Sequence, residues 1–149
     1  MDKKLKIFLE IAKVLNKHGI IPILFGSLGL YRIIDQVDEV NDIDIIIPNK
    51  NLIDQFDMFN KIMTEIGYKQ DKTYPHEFTK GEIQIGFEPE SDIEKLGINP
   101  AELQITSMEN SKFRELTATD YLKVYKRNLE THNSKLKSIK RKIEVLEKC

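Results

Sequence analysis

Two aspartates interrupt an isoleucine-rich run in the first third of the chain. Alternate side chains of a β-strand share a face, so a strand over residues 40–47 directs Asp42 and Asp44 to one side while Ile43 and Ile45 enter a core. Carboxylates at this spacing, with Cα atoms roughly 6–7 Å apart on a strand, repel each other. A divalent cation relieves the repulsion, and hard oxygen ligands favour Mg²⁺ or Mn²⁺.

A glycine–serine pair, Gly26-Ser27, separates the apolar segment 20–25 from a short helical stretch predicted over 28–34. A glycine at a strand end allows a ligand to approach the backbone closely. The unpaired N–H groups and positive dipole end of a following helix suit a phosphate. A phosphate site and a metal site on neighbouring strands are the arrangement that phosphoryl and nucleotidyl transfer need.

The remaining chain alternates helical and strand patterns. Apolar residues at helical spacing predict helices over 3–18 and 52–66. Short strands are expected around Tyr68 and over 74–79, 82–87 and 103–107, with a hairpin turn at Lys80-Gly81.

The C-terminal part reads as a pair of helices. A capping box that begins at Thr117 predicts a helix to about Thr131. A break near His132-Asn133-Ser134 leads to a final helix with one apolar face. We therefore expect an α/β core over residues 1–116 and a two-helix extension over 117–149 that packs on it.

Charge and composition restrict the partners and the location. Residues 121–149 carry nine Lys or Arg against three Glu, while the whole chain has a net charge of −1. Such a basic tail attracts nucleic acid or another polyanion, but a solvated helix face is the favoured interpretation, so nucleic acid is not an expected partner. The single cysteine, Cys149, allows no internal disulfide, and no apolar run is long enough to span a bilayer. A cytoplasmic location without membrane attachment is expected.

The pattern of Gly26-Ser27, a short helix and Asp42-Ile43-Asp44 resembles the polymerase-β-type nucleotidyltransferase superfamily, especially its small bacterial and antibiotic-modifying members. The resemblance implies a mixed β-sheet with flanking helices. It implies that Gly26 and Ser27 hold the triphosphate of ATP or another nucleotide and that Asp42 and Asp44 bind Mg²⁺. The reaction moves a nucleoside monophosphate onto a hydroxyl of a small molecule or a protein. Arg32 is a candidate for phosphate contact, with an exposed helical arginine as the alternative.

Active members of that superfamily place a third carboxylate on a later strand. The matching strand here directs Glu82, Gln84 and Glu88 towards the cleft, and the register that we assign puts Gln84 at the family position. Glutamine cannot serve as a base and is a weak Mg²⁺ ligand, so Glu82 is the expected substitute. Two alternatives stay open. One is a catalytically impaired nucleotide-binding or protein-interaction domain of the same fold, and the other is a plain α/β protein with an incidental aspartate pair.

Overall fold

The computed structural model describes residues 1–131 and 135–149, and it contains one seven-stranded mixed sheet flanked by helices. The predicted break at His132-Asn133-Ser134 lies outside the described residues. The strands are β1 Ile23–Phe25, β2 Ile43–Ile47, β3 Lys69–Gln70, β4 Glu77–Lys80, β5 Ile83–Pro89, β6 Gln104–Met108 and β7 Ser111–Glu115. The helices are α1 Lys3–Lys17, α2 Gly26–Leu30, α3 Phe56–Glu65, α4 Ser91–Glu94, α5 Ala118–Thr131 and α6 Leu136–Glu147.

The strand order is β3-β4-β5-β2-β1-β7-β6. β2 lies in the middle, antiparallel to β1 and parallel to β5. Parallel pairing aligns Asp44 with Gly86, and antiparallel pairing aligns Asp44 with Phe25, which directly precedes the glycine–serine pair. The topology therefore brings three distant segments of the chain together around Asp44.

Two apolar cores lie on opposite faces of the sheet. Ile43 and Ile45 belong to the core that α1 and α3 cover. Ile23 and Ile46 belong to the second core, which α5 and α6 cover with Tyr121 and other apolar side chains. Since side chains alternate along a strand, Asp44 shares the face of Ile46 and is directed towards the two C-terminal helices.

Local signals fix the helix starts. The carboxylate of Asp2 accepts hydrogen bonds from the backbone N–H groups of Lys4 and Leu5 and caps α1. The predicted capping box before α5 is present. The Thr117 hydroxyl accepts from the Asp120 N–H at 3.1 Å, and the Asp120 carboxylate accepts from the Thr117 N–H at 3.0 Å.

Several element boundaries differ from the prediction. β1 is shorter than the predicted strand because Pro22 has no N–H and the Ile20 N–H already donates to the Leu15 carbonyl. The predicted helix over 52–66 divides into a π-helical segment, Lys50–Asp54, and α3. β7 was not predicted as a strand. In the described part of the chain, no helix is both long and apolar enough to cross a membrane.

Candidate active site

Gly26 packs directly on the carboxylate of Asp44. Gly26 has φ +64°, a left-handed conformation that disfavours any side chain. A Cβ atom at this position would lie 3.0 Å from Asp44 Cγ and would collide with the Asp44 Oδ2 atom. The turn after β1 therefore needs a glycine for two independent reasons, and the backbone of that turn is placed against the acid on β2.

A second carboxylate, Glu88 on β5, stands beside Asp44. Glu88 lies on the same face of β5 as Gly86, the residue level with Asp44, and both acids line the same two cavities. Burial, followed by the charges of Asp44 and Asp92, raises the pKa of Glu88 to about 7. Burial, followed by the charge of Asp42, raises the pKa of Asp44 to about 6. Two acids that resist ionisation in this way offer a favourable position for a cation.

The larger cavity measures about 620 Å³, within the range of small-molecule sites. Its sheet wall carries Gly26, Ser27, Asp44 and Glu88. The rest of the lining comes from helices and has more bases than acids. The bases are Lys95 after α4, Arg127 on α5, Lys135 before α6 and Lys142 on α6, and the one acid is Asp92 on α4. Such a cavity suits an anionic ligand that binds together with a cation, since the cation can contact the acids of the sheet wall and the anion can contact the bases.

Lys142 contacts the glycine–serine turn directly. Its ammonium donates a hydrogen bond of 3.1 Å to the hydroxyl of Ser27, 115 residues away in the sequence. The short helix predicted over 28–34 is α2 Gly26–Leu30, whose five residues give only a small dipole at the predicted anion site. A lysine from the C-terminal helix supplies positive charge at the place where the sequence analysis expected a helix dipole.

A second, smaller cavity of about 290 Å³ also reaches the two acids. Asp44 and Glu88 form its shared wall with the larger cavity, and Tyr74, His76 and Glu77 complete it. The two carboxylates therefore stand where two separate spaces meet. Such a junction can bring two different molecules to the same pair of acids.

Other predicted site residues lie elsewhere. Asp42 occupies an exposed bend immediately before β2 rather than a strand position, and it lines neither cavity. Glu82 is exposed in the turn before β5, and Gln84 is exposed on β5, opposite Thr79 of β4. Neither Glu82 nor Gln84 lines either cavity.

Arg32 forms an ion pair with Glu115. Its guanidinium donates two hydrogen bonds, of 2.6 and 3.2 Å, to the carboxylate of Glu115 on β7. It also lies over the ring of Phe113, 5.7 Å from the centroid, and it lines neither cavity. This geometry gives Arg32 a role in holding the turn after α2 against β7 and leaves it no contact with the larger cavity.

No protein-only metal cage is visible in the described ranges, where no group of three or more His, Cys, Asp or Glu side chains is placed to hold an ion. Mg²⁺ is commonly held by one or two carboxylates together with substrate phosphates and water. The oxygen donors of Asp44 and Glu88 fit that mode of binding. The charge of Asp42, in the adjacent bend, acts on Asp44.

Sequence and structure comparisons place the chain among known proteins. No model of a known protein family matches it. It is 36% identical over 124 residues to Uncharacterized protein YnaI of Bacillus subtilis strain 168, across 82% of this chain and 80% of that protein.

Two solved nucleotidyltransferase structures share its fold. The antibiotic-resistance factor ANT(2")-Ia, in complex with adenylyl-2"-tobramycin, superimposes with a TM-score of 0.62 at 11% identity, over 97% of this chain and 88% of that one. An antigenic nucleotidyltransferase-like protein from Paracoccidioides brasiliensis also has a TM-score of 0.62, at 12% identity, over 95% of this chain and 73% of that one. The predicted fold is thereby confirmed. The chain belongs to the family of Bacillus subtilis YnaI, and its fold is that of the polymerase-β-type nucleotidyltransferases.

Proposed function

We propose that this protein is a Mg²⁺-dependent nucleotidyltransferase that transfers a nucleoside monophosphate from a triphosphate to a hydroxyl acceptor. The observation that carries the proposal is the contact of the Gly26 backbone with the Asp44 carboxylate, at a cavity where Glu88 supplies a second acid. A polyphosphate and a cation can share this space because the rest of the lining has more bases than acids.

The nucleoside triphosphate occupies the larger cavity in this proposal. Ser27 offers a hydroxyl, and the helical wall offers cations, to the phosphate oxygens. Asp44 and Glu88, assisted by Asp42, would hold the metal through carboxylate oxygens. When bound, a divalent ion neutralises charge on the phosphates and on the leaving pyrophosphate.

The reaction requires a proton acceptor and an open path for the attacking hydroxyl. The acceptor oxygen forms a bond to the α-phosphorus, the bond from that phosphorus to the bridging oxygen of the β-phosphate breaks, and pyrophosphate leaves with the electron pair. Glu88 receives the hydroxyl proton. In the metal-free protein, burial and the neighbouring acids raise the pKa of Glu88 to about 7, so this carboxyl group can take up a proton near neutral pH.

The smaller cavity is the proposed entrance of the acceptor, since it shares Asp44 and Glu88 with the larger cavity while its other lining residues are different. Of its ionisable side chains, Asp44, Glu77 and Glu88 are acidic, so it favours a neutral or cationic hydroxyl compound over an anionic one. The complex of ANT(2")-Ia with an adenylylated tobramycin supports a hydroxyl acceptor of this kind on the shared fold.

The main observation in favour of a catalytically impaired binding domain is weakened by the structure. That interpretation depended on Gln84 at the position of the third carboxylate. The register aligns Asp44 with Gly86 and Ile46 with Glu88, and burial and then the charge of Asp44 raise the pKa of Glu88. Both observations support Glu88 as the third acid in this proposal. The basic C-terminal helices, the other observation in its favour, line the proposed nucleotide cavity instead of an unattached surface.

Calorimetric titration with each common nucleoside triphosphate and Mg²⁺ tests the proposal, followed by assays of pyrophosphate release with hydroxyl compounds of different charge. We expect one triphosphate to bind, and Asp44→Asn to weaken that binding. Gln84→Ala, on the same strand as Glu88 but outside both cavities, is the matched control and should bind normally. Absence of heat with every triphosphate, or equal heat for wild type and Asp44→Asn, contradicts the proposal.

A further inference from the structure

Lys142 is a buried cation at the edge of the larger cavity. Its residue is only 8% exposed, although it lies on the basic helix α6. Its ammonium donates to Ser27 and stands 5.3 Å from the ring centroid of Tyr125 and 6.0 Å from that of Tyr31. Two aromatic rings and one hydroxyl therefore hold the charge at a defined point.

No carboxylate in the described ranges forms an ion pair with this ammonium, although the charges of Asp38 and Asp44 act on it from farther away. The ion pairs found there join Arg32 to Glu115, Lys95 to Asp92, Arg127 to Glu130, Arg141 to Asp38 and Lys148 to Glu144. Burial opposes the charged form of Lys142 and lowers its pKa. Aromatic faces and a neutral hydroxyl compensate a buried ammonium only in part. The position therefore favours an anion that arrives from the cavity.

The helix that carries Lys142 is fixed close to the turn. Asp38 accepts hydrogen bonds from Ser138 and Arg141, both on α6. The backbone N–H of Asp38 donates to the hydroxyl of Tyr31, one of the two rings around Lys142. These contacts set the position of the ammonium independently of its own hydrogen bond. A charge held in advance at one point loses little freedom when a ligand binds.

We infer that Lys142 binds the terminal phosphates of the nucleotide and makes the site selective for a triphosphate over a monophosphate. This inference rests on the proposed function, because it assigns the phosphate end of that same nucleotide. Ser27 is the point of reference. The Lys142 ammonium already donates a hydrogen bond to Ser27 Oγ. A phosphate oxygen that accepts a hydrogen bond from the Ser27 hydroxyl therefore lies within reach of this ammonium as well.

The cage also explains the choice of lysine. An ammonium is compact and can direct its three donors to Ser27 and to a phosphate while it stands between two rings. A guanidinium is larger and planar, so Lys142→Arg retains the charge but has to displace Tyr31 or Tyr125. We expect this variant to recover part of the phosphate affinity.

Titration of a non-hydrolysable triphosphate analogue and of the monophosphate, both with Mg²⁺, tests the inference. Lys142→Met keeps most of the side-chain length and removes the charge. We expect it to weaken the triphosphate analogue about 10-fold or more, as for a lost charge-assisted hydrogen bond, and to change the monophosphate less than about twofold. Lys140→Ala removes an exposed lysine of the same helix and should leave both affinities unchanged.

The temperature of thermal unfolding, measured with and without ligand, distinguishes a loss of phosphate binding from a general folding defect. Without ligand, Lys142→Met should unfold at or above the wild-type temperature because a buried unpaired charge is gone. With the triphosphate analogue, its stabilisation should be smaller than that of wild type. Unchanged triphosphate binding in Lys142→Met, or an equal loss for the monophosphate, overturns the inference.

The same titrations separate this inference from the proposed function. If wild type binds the triphosphate and Asp44→Asn weakens it while Lys142→Met does not, only the role of Lys142 is wrong. If wild type binds no triphosphate, both proposals fail.

Discussion

The backbone of Gly26 and the carboxylate of Asp44 are in contact so close that no side chain fits between them. The first belongs to the turn after β1 and the second to the neighbouring strand β2. This contact links the proposed phosphate-binding turn to the proposed metal ligand. A change at either residue therefore alters the other, which makes the pair accessible to mutation.

Gly26→Ala should impair both stability and nucleotide binding. The left-handed backbone costs an alanine roughly 1–2 kcal/mol, and the collision with Asp44 adds to this cost. Gly81→Ala is the matched control, since Gly81 has a similar φ of +60° but an added Cβ meets no atom within 4 Å. Denaturant titration and nucleotide titration of both variants check this. Equal effects of the two substitutions on binding would show that the contact with Asp44 is irrelevant.

Glu88→Gln should abolish most of the transferase activity while the protein stays folded. A lost general base typically costs about 10²–10⁴-fold in rate. Glu82→Gln and Gln84→Ala alter exposed residues outside both cavities and should keep wild-type rates. Pyrophosphate release under saturating nucleotide and acceptor provides the measurement. Activity that is lost in Glu82→Gln and retained in Glu88→Gln would restore the assignment made from the sequence.

Helices and strands whose apolar pattern lies within one segment of the chain could be predicted from the sequence. The isoleucine run predicted a strand over 40–47, and the structure contains β2 Ile43–Ile47. The amphipathic pattern over 3–18 corresponds to α1 Lys3–Lys17. Strand β7 was missed because Ser111–Glu115 contains only one apolar residue, Phe113. Its burial depends on partners distant in sequence, such as the Leu9 carbonyl that accepts from the buried Ser111 hydroxyl. Pattern alone does not report such contacts.

In the candidate site, too, the short sequence motifs could be predicted and the contacts between distant segments could not. Gly26, Ser27 and Asp44 form a local motif, and the structure brings them to one cavity. The sequence assigned Glu88 to the cleft face but put Gln84 at the position of the third acid. To choose Glu88 instead requires the register between β2 and β5, which hydrophobic alternation does not determine. Lys142 reaches Ser27 through tertiary packing of α6, so no spacing rule indicates it. The division at residue 117 stays a prediction.

The pH dependence of stability should reflect Asp44 and Glu88. Their folded-state pKa values, about 6 and about 7, are raised above the ordinary values, so the folded protein binds these protons more tightly than the unfolded chain. The stability they contribute is complete below about pH 4 and is lost as pH rises through 6 and 7. The charges that act on the two acids come from Asp42, Glu77, Asp92, Lys135 and Lys142.

Glu88→Gln should therefore flatten this dependence and stabilise the ligand-free protein at pH 8 by about 1–3 kcal/mol, since a buried charge is replaced by a neutral amide. Thermal unfolding between pH 5 and 8 compares it with wild type. Asp54→Asn, at an exposed position in the segment Lys50–Asp54, is the control. A Glu88→Gln profile parallel to that of wild type would exclude an ionisation of Glu88 in this range.

Arg32→Ala should lower stability without weakening nucleotide binding. Both partners of the Arg32–Glu115 pair are largely shielded, with side chains 26% and 19% exposed, and Glu115 also accepts a hydrogen bond of 2.7 Å from Thr106. Burial pushes the pKa of Glu115 upwards, but the hydrogen bonds from Arg32 and Thr106 outweigh it, and the pKa is lowered overall. Removal of Arg32 leaves a carboxylate without its charged partner, at a cost of about 1–3 kcal/mol.

The sign of the pH effect distinguishes this pair from the acids of the cavity. A lowered pKa contributes stability above the ordinary pKa of a glutamate, and that contribution is lost as pH falls through the folded value. Arg32→Ala should therefore reduce stability most at neutral pH and little in acid, whereas Glu88→Gln acts in the opposite direction. Denaturant unfolding at pH 7 and pH 4, with triphosphate titration at pH 7, measures both properties. A loss of triphosphate affinity comparable with that of Asp44→Asn would return Arg32 to the nucleotide site.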